Sequence, residues 1–123
     1  RQGGLSKVEA RGIFSDATFD GANVRQEGMT VQIRNAAGQL ACCTTEAPNW
    51  RRLVRRHFGW WDSAVTLCPP VKDLEFQTRR GRRSRFELRT GHVPLADYLQ
   101  QLNLTLRIGD RCASTSFTPV TKR

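Results

Sequence analysis

The side chains of this chain best equipped for chemistry are its arginines. Five of them, Arg79, Arg80, Arg82, Arg83 and Arg85, surround Gly81, and four more stand at Arg51, Arg52, Arg55 and Arg56. A guanidinium presents a rigid fork that binds phosphate, sulfate or carboxylate bidentately and stacks on rings. The chemistry expected of both clusters is therefore recognition of anions. Seventeen arginines against three lysines, a formal charge of +9 and a pI near 10.7 extend that expectation to the whole chain. An imbalance of this size favours an anionic partner, either an acidic glycan, a nucleic acid or an acidic protein surface. Charge alone does not choose among them.

Four cysteines, Cys42, Cys43, Cys68 and Cys112, form an even set in a small chain, the pattern expected of disulfides made in an oxidising compartment. They lack the paired short spacing of a zinc site. The expected location is secreted, periplasmic or extracellular, with an intracellular, nucleic-acid-associated protein as the alternative. The start at Arg1 without an initiator methionine fits a removed signal peptide or a boundary, and Asn103, Leu104 and Thr105 form a glycosylation acceptor pattern. No run approaches the roughly 18 apolar residues of a membrane span.

The catalytic alternatives are sparse. Of the two histidines, His57 falls on the apolar arc of its segment and is expected to pack as a neutral ring. His92 is the better acid-base candidate, with Glu87 or Asp97 as partner. No P-loop or nucleophile elbow is present. No catalytic residue, metal or cofactor is assigned.

Positioning these groups falls to short elements. Outward from Gly81, Phe76 matches Phe86, Glu75 matches Glu87 and Leu74 matches Leu88, which predicts a hairpin with a cationic tip. Met29, Val31 and Ile33 alternate with polar residues up to the turn at Asn35 to Gly38. A four-residue loop there sets Ile33 against Leu40 and Val31 against Cys42, with Cys42 on the apolar side and Cys43 on the other. Residues 48–60 read as an amphipathic helix, with Arg51, Arg52, Arg55 and Arg56 on one arc and Trp50, Leu53, Val54, Phe58 and Trp61 opposite. Strands are expected at 8–14, 63–68, 102–108 and 113–118, and a short helix from Pro94; Phe19 is expected to turn inward. The fold class is α+β, mostly antiparallel β: a single domain spanning 1–123, a small sheet or sandwich of hairpins with one or two short helices packed on it, frayed at 1–6 and 121–123. If the two arginine surfaces converge, they form a groove for a linear polyanion.

Three stretches resemble ribonuclease H segments in order: Ile13 to Asp16 followed by the hairpin from Gly28, Trp61 to Ser63, and Thr90 to His92 followed by Ala96 to Leu99. The resemblance implies two magnesium ions held by Asp16, Asp62, Asp97 and a glutamate, and metal-assisted cleavage of RNA. Against it stand the position of Glu46 at a proline-containing turn and a short interval from Asp16 to Asp97. The leading expectation remains an exported, disulfide-containing basic binding domain. A nucleic-acid-processing domain is the first alternative, and a structural or assembly subunit docking through Trp50, Trp60 and Trp61 is the second.

Overall fold

Alternation of apolar and polar residues along most of the chain dictates strands, and the computed structural model contains ten of them among its described residues, 5–14, 18–19, 22–54, 56–78, 84–98, 100–118 and 120–122. Six form one antiparallel sheet: β10 (Val120–Lys122), β1 (Leu5–Phe14), β7 (Ser84–Pro94), β6 (Val71–Gln77), β5 (His57–Trp61) and β4 (Arg51–Val54), in that order. The other four form a second: β3 (Gly38–Thr45), β2 (Met29–Asn35), β8 (Leu102–Ile108) and β9 (Arg111–Phe117). The two helices, α1 (Val24–Glu27) and α2 (Leu95–Tyr98), have four residues each. No helix among the described residues is long and apolar enough to cross a membrane.

Side chains two apart on a strand share a face, so Leu102, Leu104, Leu106 and Ile108 of β8 all point into the core with Val31 and Ile33 of β2. From the larger sheet come Leu74 and Phe76 of β6 and Phe86 and Leu88 of β7. A chain of ring contacts joins the layers. Phe117 of the smaller sheet meets Phe86, Phe86 meets Phe14, Phe14 meets Phe19, and Phe19 meets Phe76, with centroids 5.2 to 5.9 Å apart. Phe19 is fully buried, and such tilted and edge-on contacts add to the area each ring removes from water.

The mirror-image hairpin forms in the expected register, with Leu74 opposite Leu88, Glu75 opposite Glu87 and Phe76 opposite Phe86. Its tip residues Arg79, Arg80, Gly81, Arg82 and Arg83 lie outside the described residues, as do Asp16 and Arg55. The β2–β3 hairpin differs from expectation. Asn35 pairs with Gly38 across a two-residue turn, its Oδ1 accepting the N–H groups of Ala37 and Gly38, and a bulge follows at Ile33 and Arg34. Val31 therefore faces Cys43, and Cys43, not Cys42, is the inward cysteine.

The segment 48–60 is not a helix. A 3-10 turn at residues 47–49 gives way to β4 and β5, because Phe58 and Trp60 alternate with His57, Gly59 and Trp61, and β6 supplies a partner strand. Trp60 then packs inward at 1% exposure, while Trp50 is buried and donates its indole N–H to Thr45 Oγ1. Residues 62–70 form turns instead of a strand. The helix from Pro94 shortens to α2, where burial and the neighbouring Asp97 push the Tyr98 phenol up to about 12.

Candidate functional site

Two chemically distinct surfaces meet at the end of the larger sheet where Arg56 follows β4. There His57 pairs with Gln77, Gln77 with Arg85 and Arg85 with Ile13, and the Thr78 N–H donates to the Arg56 carbonyl. The described chain stops here at Thr78 and resumes at Ser84, with the arginine-rich segment 79–83 between them in sequence.

The first surface is a groove of about 480 Å³ lined by Asn23, Arg25, Gln26, Arg52, Arg56 and Phe58. Register opposes Arg52 to Phe58. Arg56 lies between the paired residues Val54 and His57 with φ 60°, the left-handed conformation that a tight hairpin turn demands. Arg25 comes from α1, whose N-cap Asn23 accepts the Arg25 N–H and whose end at Gly28 takes a positive φ of 70°. Among the described residues, none of these three guanidiniums has a carboxylate within salt-bridge distance. Three cations without a carboxylate partner among the described residues, set around a partly exposed ring, are equipped to bind an anion that carries planar groups.

The second surface occupies the outer face of the same sheet. Arg89 sits at its centre, donating to Glu9 at 3.0 Å, Asp73 at 2.9 Å, and Glu75 and Glu87 at 3.1 Å. Burial opposes the Arg89 charge, but hydrogen bonds to Asp73 and Glu75 and the fields of Asp73 and Glu87 outweigh it and raise the pKa. Arg11 adds looser pairs to Glu9 and Glu87. Toward the arginine-rich end this network opens into a cavity of about 380 Å³ lined by Arg11, Ile13, His57, Glu75, Arg85 and Glu87, among others. His57 lies 2.9 Å from Glu75 Oε1 and is only 27% exposed.

Of the nine expected anion-binding arginines, Arg52 and Arg56 enter the groove and Arg85 the cavity. Arg51 projects elsewhere, its guanidinium 5.1 Å from the centre of the Trp61 ring. Arg55, Arg79, Arg80, Arg82 and Arg83 lie outside the described residues. Trp61 is 46% exposed, whereas Trp50 and Trp60 are core residues with no surface to offer a partner. One disulfide joins Cys43 on β3 to Cys68 in the β5–β6 connection; Cys42 and Cys112 are exposed thiols on the two edge strands of the smaller sheet.

His92 pairs with Lys7 on the outer face and touches no carboxylate among the described residues. The carboxylate of Asp62 accepts the N–H groups of Thr66 and Leu67, and these backbone bonds, led by that from Leu67, lower its pKa. Asp62 thus organises a loop. Among the described residues no three His, Cys, Asp or Glu side chains gather in a metal-binding arrangement; Asp16, the first member of the set that the ribonuclease H resemblance implied, lies outside them.

Sequence reasoning missed Arg25, Phe58 and the network around Arg89. A signal for the network existed. Glu9 and Arg11, Asp73 and Glu75, and Glu87 and Arg89 are each two residues apart on strands, which places every pair on a single face. The chain matches no known protein family, no curated protein and no solved structure.

Proposed function

We propose that this chain is a disulfide-containing basic binding domain of an oxidising, extracytoplasmic compartment that engages a linear polyanion, with single-stranded nucleic acid as the favoured partner. The observation that carries the reading is the convergence of Arg25, Arg52 and Arg56 on one groove beside Phe58, without carboxylate partners among the described residues. Guanidiniums neutralise a phosphodiester backbone, and an aromatic ring gives an unpaired base a surface to stack on. An acidic glycan satisfies the charge, but its sugar rings lack the π-face through which an unpaired base stacks on an aromatic side chain. The bridge between Cys43 and Cys68 supports the compartment, because such bonds persist where thiols are not kept reduced.

Fluorescence anisotropy with a labelled single-stranded oligonucleotide tests the reading. Replacing Arg52 and Arg56 together by serine is expected to weaken binding at least about tenfold, on the order of one counterion-releasing contact each. Phe58→Leu should weaken nucleic acid but leave a sulfated glycan of equal charge density unaffected. Equal affinities for the parent and the double variant would sink the groove as the binding surface.

A further inference from the structure

We infer that the cavity on the outer face of the larger sheet is a catalytic site for RNA, with His57 as the proton acceptor; this rests on the reading of the chain as a nucleic-acid binder. The cavity and the groove flank the same turn. Arg56 belongs to the groove, and the next residue, His57, belongs to the cavity. A strand held by the groove therefore has a route past the imidazole.

The state of that imidazole follows from its neighbours. Glu75 accepts from Arg89 at Oε2 and contacts His57 Nε2 at Oε1, so both of its oxygens act as acceptors of an ionised carboxylate. Nε2 must then carry the proton, which leaves the Nδ1 lone pair of the neutral ring as its base. A carboxylate that fixes the tautomer and steadies the protonated ring is the arrangement general base catalysis requires. Arg85 lines the same cavity with no carboxylate within salt-bridge distance among the described residues, and the 65% exposed Arg11 lines it too, held only by its looser pairs to Glu9 at 3.7 Å and Glu87 at 3.4 Å. Both can take a phosphate and stabilise the charge that builds on its oxygens.

The substrate class follows from what the site contains. A site offering one base and two phosphate-binding cations suits a substrate that brings its own nucleophile, and the ribose 2′-hydroxyl is one. The 2′-hydroxyl proton passes to His57 Nδ1 as the 2′-oxygen bonds to phosphorus, and the bond from phosphorus to the 5′-oxygen breaks. The 5′-oxygen takes up a proton returned through solvent from the imidazolium, leaving a 2′,3′-cyclic phosphate and a free 5′-hydroxyl. No proton or electron is consumed overall.

The test uses the intact, oxidised chain with a 5′-labelled single-stranded RNA in a chelator, with binding and cleavage measured side by side. Cleavage to cyclic-phosphate ends is expected, while a 2′-O-methyl RNA of the same sequence should bind and stay whole. His57→Gln should slow cleavage about 100-fold with affinity within twofold. Arg85→Ser should also slow it, which gives a second route if the first variant unfolds. RNA that binds but is never cut overturns the catalytic assignment and leaves the groove standing, whereas failure to bind overturns both. Cleavage that survives His57→Gln, or that attacks the methylated strand, assigns the activity elsewhere and also overturns it.

Discussion

Arg56 holds an unusual position for an arginine. Its φ of 60° is a conformation that glycine adopts freely and a side chain with a Cβ adopts at a penalty of about 1 kcal/mol. A hairpin selected for stability alone would place glycine or asparagine there. The strain is understandable if the guanidinium is needed in the groove, and it separates stability from binding. Arg56→Gly should raise the unfolding free energy by about 1 kcal/mol, less whatever the extra freedom of glycine adds to the unfolded chain, while weakening oligonucleotide affinity severalfold. Denaturant titration beside anisotropy checks both halves. A variant that loses stability would mean that the side chain is held by contacts the turn geometry does not reveal.

Among the elements, the β5–β6 connection binds the two sheets. Cys68 is buried and bridged to Cys43 on the inner face of β3, across 25 residues of sequence. Closing a loop of that length removes unfolded-chain entropy worth about 3 kcal/mol. Reduction should therefore lower the unfolding free energy, the product of denaturant midpoint and slope, by an amount of that order, and Cys42→Ser and Cys112→Ser should not. An unchanged free energy on reduction would show that the packing of the rings joins the layers unaided. The hairpin from Leu74 to Leu88 was legible because its pairing is local and symmetric, so the pattern and the turn agree. The segment 48–60 misled because arginines at 51, 52, 55 and 56 satisfy a helical arc, while the evidence for strands lay in a partner, β6, with no trace in the local spacing. The β2–β3 register turned on one side chain, Asn35, whose oxygen closes a two-residue turn and reverses the sides taken by Cys42 and Cys43. Of the groove, Arg52 and Arg56 were legible as anion-binding residues, whereas Arg25 was not, since it joins them only through the fold.

At the scale of the whole molecule, charge is segregated. Four of the eleven acidic residues, Glu9, Asp73, Glu75 and Glu87, are gathered on the outer face around Arg89. That patch is net negative even with Arg11 and Arg89 counted, so the remaining surface is more basic than the total of +9 suggests. An extended anion is drawn first to the edge where Arg25, Arg52 and Arg56 meet, beside the Arg85 end of the cavity and away from the Arg89 centre of the patch. The consequence is measurable in salt. Each phosphate neutralised on a single strand contributes about −0.7 to the slope of log affinity against log salt. The three groove arginines alone should give a slope near −2, and Arg52 and Arg56 replaced by serine should make it shallower by about 1.4 units. Neutralisation in the outer patch away from the cavity, such as Asp73→Asn, should instead leave the number of contacts unchanged and accelerate association at low salt. A slope that the groove variants do not alter would place the polyanion on another basic surface, with the arginines of 79–83 the next to substitute.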